Sequence, residues 1–83
     1  ALRTEGESPF AWRQMGIARG RLGQLPQADL ALAEEALLRG DPRTARMLAQ
    51  RAEQALPPGP MRLRAQDLVN ATEPENLPPR PRR

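Results

Sequence analysis

From Ala28 to Pro57 the chain reads ADLALAEEALLRGDPRTARMLAQRAEQALP. In its second half Ala45, Leu48, Ala49, Ala52, Ala55 and Leu56 recur at three- and four-residue intervals, with Arg46, Gln50, Arg51 and Glu53 facing away. That pattern predicts a helix with one apolar stripe, which needs a partner. In the first half, Leu30, Ala33 and Leu37 make one apolar line and Ala28, Leu32 and Ala36 another. So little of the circumference is polar that this helix is expected to be packed on two sides. The two should lie antiparallel across a three-residue turn.

The punctuation on either side extends the pair into an array. Ser8-Pro9 is a helix start, because the hydroxyl can accept from an early backbone N–H and proline loses nothing at a first helical position. This first helix runs to about Leu22, where Gly23 supplies a left-handed stop. Pro26 opens a second helix that ends at Gly40; Asp41 caps and Pro42 starts the third; Pro57, Pro58 and Gly59 break the chain; Pro60 opens a fourth through about Ala71, carried by Met61, Ala65, Leu68 and Val69. The four start prolines, 9, 26, 42 and 60, are separated by 17, 16 and 18 residues. The expectation is an all-α fold of four antiparallel helices, built as half-repeats of a unit close to 34 residues. Residues 1–7 are expected to be a frayed segment, 8–71 the helical domain and 72–83 a disordered Pro/Arg-rich tail. The same spacing also suits an up-down four-helix bundle.

Composition narrows the function. At 83 residues this is at most one small domain, of marginal stability alone. An opening residue other than Met, with no leader-like segment, reads as a piece of something longer. Pro, Gly and Arg interrupt every apolar run before the roughly 18 residues a membrane span needs. There is no Cys, hence no disulfide framework. The net charge is +3, all thirteen basic residues are Arg, and three of those are Arg80, Arg82 and Arg83. The folded part is therefore nearly neutral, and with one Phe, one Trp and no Tyr it lacks the basic, aromatic-interleaved face of a nucleic-acid binder.

Two resemblances follow. The helix-turn-helix unit resembles the tetratricopeptide repeat in two registers. One carries Trp12, Met15, Gly16, Gly23, Ala28 and Leu32, with Arg19 where the family has Tyr. The other carries Leu32, Ala33, Gly40, Ala45, Ala49, Ala52 and Pro57. Both give the same antiparallel stack, an α-solenoid fragment, and small residues such as Gly16, Ala33, Ala45, Ala49 and Ala52 suit the short end of the usual helix spacing of about 8 to 10 Å. More narrowly, SPFAWRQMGIARGRLG, ADLALAEEALLRGD and MRLRAQDLV resemble the C-terminal repeats of bacterial zinc metallopeptidases related to the β-barrel assembly-enhancing protease, over about residues 8–70. That resemblance implies a catalytic domain on the N-terminal side, with zinc on an H-E-x-x-H helix, and a periplasmic role in outer-membrane quality control. With no His in the chain, neither that signature nor the zinc can lie here.

Chemistry within the chain is not expected either. Ser8 reads as a cap, having no His to activate it. Glu34 and Glu35 are adjacent, so they diverge on a helix, and Glu35 pairs better with Arg39 at i,i+4. No cofactor is assigned. The expected function is binding of protein or peptide, including the parent's own catalytic domain, by the helices that line a concave groove. In the first register these residues are Phe10, Arg13, Ile17 and Arg21; in the second, Gln27, Leu30, Glu34 and Leu37. A structural cap or self-association module is the alternative.

Overall fold

The computed structural model describes residues 8–76. Four helices, α1 Pro9–Arg21, α2 Leu25–Leu38, α3 Pro42–Ala55 and α4 Pro60–Ala71, are followed by a 3-10 turn at Pro74–Asn76, with no strand among the described residues. The expected segment 1–7 and the end of the expected tail, 77–83, lie outside these residues.

The helices begin and end on local chemistry. Ser8 Oγ accepts from the Ala11 N–H at 3.4 Å, and Asp41 Oδ1 accepts from the Thr44 N–H at 3.2 Å. Each satisfies a donor that a helix start leaves without a partner. The bonds from Thr44 hold the Asp41 carboxyl below its ordinary value of 3.8. Both α1 and α2 stop with glycine in the left-handed region, Gly23 at φ 77 and Gly40 at φ 82. The next N–H folds back, Gln24 donating to the Arg19 carbonyl and Asp41 to the Ala36 carbonyl, each at 2.9 Å. The same C-terminal motif used twice gives two tight antiparallel hairpins in succession. One detail differs from expectation: α2 begins at Leu25, with Pro26 just inside its first turn.

Packing follows chain order, α1 on α2, α2 on α3 and α3 on α4, and α2 also reaches α4. The two-sided reading of α2 holds. Ala28 and Leu32 meet α1 at Gly16, while Leu30 and Ala33 join Leu48, Ala49, Ala52 and Leu56 of the α3 segment and Ala65 and Leu68 of α4 in one buried cluster. Each of the four large leucines there contributes on the order of 2 kcal/mol by leaving water. Alanines fill the rest, so backbones, more than side chains, set the spacing.

Three expectations change at the α3–α4 end. Ala55, counted in the α3 stripe, is exposed. Arg46, expected to face away, reaches across to α4, donating to the Val69 carbonyl at 2.8 Å and to Glu73 Oε1 at 2.9 Å. The tail begins later than residue 72, because Thr72 is buried and its hydroxyl donates to the Leu68 carbonyl at 2.7 Å. The last carbonyls of α4 are thus satisfied by one side chain from α3 and one from the supposed tail.

Gly16 is the tightest point of the α1–α2 contact. A Cβ there would lie 2.8 Å from both Cγ and Cδ2 of Leu32 and 3.5 Å from the Ala28 carbonyl oxygen, whereas one at Gly20 would meet only the Ala28 Cβ at 4.0 Å. Overpacking of this kind costs about 1 to 3 kcal/mol, against a helix-propensity gain of roughly 1 kcal/mol for replacing glycine. Gly16→Ala should therefore lower the thermal midpoint by about 5 °C and Gly20→Ala should raise it slightly, as read by circular dichroism. Equal shifts of the same sign would show that Gly16 is not a packing constraint.

Candidate interaction surface

The first-register residues occupy one outward face. With 3.6 residues per turn, Phe10, Arg13, Ile17 and Arg21 fall within about 80° of arc on α1. All four are exposed, Phe10 at 70% and Ile17 at 40%. About 60° round the helix from Arg13, Gly16 lies against α2, and Trp12 beyond it is half-buried. The position of this face follows from the close approach at Gly16, which decides which way α1 turns. Arg19, the third cation of α1, points elsewhere, its Nη1 donating to Gln24 Oε1 at 2.8 Å.

The second-register residues are turned inward. Leu30 is only 6% and Glu34 only 7% exposed, and Gln27 and Leu37 are half-buried. Leu30 belongs to the α2–α3–α4 cluster, and Glu34 is bound by Arg64, whose Nη2 donates to Oε1 at 2.8 Å and whose Nε donates to Oε2 at 2.5 Å. Leu30 and Glu34 are structural residues, while Gln27 and Leu37 keep part of their surface in solvent. They share one helix face, and its middle, Leu30 and Glu34, is covered.

Charge is distributed to match. The three carboxylates of α2 are each taken by an arginine: Asp29 by Arg51 of α3 in a two-bond fork at 2.8 and 2.9 Å, Glu34 by Arg64 of α4, and Glu35 by Arg39 at 3.0 Å, the i,i+4 pair read from the sequence. In each case hydrogen bonding to the carboxylate holds the guanidinium more firmly charged than usual. Burying Glu34 is tolerable because both oxygens are met, although Arg64 stays half exposed and its contribution is reduced by solvent screening. Arg13 and Arg21 have no ion pair with any described residue. The Asp29–Arg51 and Glu34–Arg64 forks escaped sequence reading because they join residues 22 and 30 positions apart.

At the far end of the array a shallow depression of about 230 Å³ is lined by Pro58, Gly59, Arg62, Leu63 and Gln66. It brings no set of nucleophile, base and acid together. The chain has neither His nor Cys, and among the described residues no group of three or more Asp or Glu is placed to hold a metal ion. No helix of the described residues is long and apolar enough to cross a membrane. No protein-family model, curated protein or solved structure matches the chain.

Proposed function

We propose that this chain is a non-catalytic protein- or peptide-binding module that engages its partner through the outward face of α1. The observation that carries this reading is the difference between the two ends of the array. On α1 the outward face presents Phe10 and Ile17, and Met15 and Leu22 are exposed elsewhere on the same segment. On α4 the side away from Ala65 and Leu68 carries Gln66, Asp67 and Asn70 with Leu63, and the other exposed large apolar residue, Met61, lies in the first turn. Terminal units of helical arrays carry such a polar outer side where the stack stops, and an apolar one where another element is to be added. The α4 end is built as a finish and the α1 end as a joint.

From the resemblance of SPFAWRQMGIARGRLG and the two phrases after it, we further propose that the module is the accessory repeat domain of an exported zinc metallopeptidase. There it would sit in the periplasm, positioning the catalytic domain or recruiting proteins of envelope quality control. The similarity of those phrases to tetratricopeptide repeats supports this parentage; the interaction surface stands without it. A coding sequence upstream of Ala1 that contains an H-E-x-x-H helix and an export signal is the expected result, and one that contains only further repeats would sink the peptidase parentage.

The binding reading has its own test. Replacing Phe10 and Ile17 together by Ser should cut recovery of partner proteins from a bacterial envelope extract by about fivefold or more, as hot-spot side chains do. Both positions are exposed, so helicity should be unchanged. Leu63→Ser, at the opposite end, should have no effect. Equal recovery by the wild-type chain and the Phe10/Ile17 variant, measured by quantitative mass spectrometry, would reject α1 as the docking face.

A further inference from the structure

The docking face has a charge pattern that selects its occupant, an inference that rests on the binding role proposed for α1. Along α1, PFAWRQMGIARGR, there are three arginines and no Asp or Glu. Arg19 is turned away to Gln24, so the cations left on the outward face are Arg13 and Arg21. Arg51, Arg64 and Arg46 are matched to carboxylates across the fold, in the forks to Asp29 and Glu34 and the bond to Glu73, while Arg43 and Arg62, like Arg13 and Arg21, have no ion pair with a described residue. Arg13 and Arg21, about 12 Å apart along the axis, bracket Ile17, and Phe10 lies about 10.5 Å from Ile17. The surface is a two-turn apolar line from Phe10 to Ile17, with Arg13 within it and Arg21 one turn beyond it.

We propose that this face binds an amphipathic helix of another protein whose apolar stripe is flanked by Asp or Glu about two turns apart, the stripe covering Phe10 and Ile17 and the carboxylates meeting Arg13 and Arg21. Complementary charge fixes the register and suppresses the wrong partner. A second copy of this chain is a poor occupant. An antiparallel α1–α1 pair about Ile17 sets Arg13 of one copy across from Arg21 of the other, and a head-to-tail pair sets Phe10 and Ile17 against the mostly polar side of α4. An anionic lipid surface suits the face less well, since Arg13 lies within the apolar line, whereas interfacial helices segregate a wide apolar face from a basic one.

The test uses the 83-residue chain and two designed 18-residue helical peptides with the same leucine stripe, one flanked by Glu and the other by Lys. Fluorescence anisotropy of labelled peptide should show the Glu peptide binding about tenfold tighter than the Lys peptide, with the ratio narrowing between about 50 and 300 mM salt. Arg13→Glu with Arg21→Glu should invert the preference, and Phe10→Ser should weaken both peptides. If both bind equally and Phe10→Ser still weakens them, the acidic class is wrong while the docking face stands. If neither binds while the Phe10/Ile17 variant still loses its extract partners, the occupant is not an amphipathic helix. Dimerisation in sedimentation equilibrium that Ile17→Glu abolishes would assign the face to a second copy. Tighter binding to phosphatidylglycerol vesicles than to the Glu peptide would assign it to a membrane.

Discussion

A helix held between two others has little solvent face on which to keep charge, yet α2 carries three carboxylates. That constraint organises the fold. The alanines of α2 let α1 and α3 approach from different sides, and the approach leaves Glu34 and Glu35 nearly buried. A carboxylate taken out of water is costly unless its oxygens are met. Each is met by a guanidinium, two of them from other helices, so the ion pairs that make burial tolerable also set how α3 and α4 lie against α2. Packing and charge thus specify the same arrangement, the agreement across levels that gives a chain one structure.

The same economy leaves the two ends of the array unlike. At the α4 end, Arg46 and Thr72 bind the last carbonyls and a largely polar side faces outward. At the α1 end, a helix with no acid of its own shows Phe10 and Ile17 interleaved with Arg13 and Arg21, which have no ion pair with a described residue. This difference is the physical content of the binding proposal. A stack whose one end is largely polar and whose other end is apolar and cationic has a direction, and the binding proposal places the partner at the apolar, cationic end.

Much of this was legible before any coordinates, and for identifiable reasons. Proline at helix starts, glycine at Gly23 and Gly40, and the Asp41 cap are local signals, and each acts within a few residues of itself. The two apolar lines of α2 announced two neighbours because a single stripe would have sufficed for one. What escaped depended on the neighbours' positions. The wheel of an isolated α3 turns Arg46 to solvent, since it contains no knowledge that the end of α4 passes beside it. Thr72 looked like linker because proline and charge dominate the residues after it, yet its hydroxyl completes the helix before it. For the site, periodicity offered two sets of residues, on α1 and on α2, and had no means of seeing that Leu30 and Glu34 are buried by neighbours while the α1 set stays exposed.

The central claim is that α2 is the element the others are built around, with α1 joined to it through the narrow contact at Gly16. Site-resolved amide hydrogen exchange tests that most directly, because it orders the helices by the free energy of opening them. The account predicts that α2 and α3 exchange last and together, at the rate of global unfolding, while α1 opens first without them. Amides of α2 exchanging as early as those of α1 would contradict it.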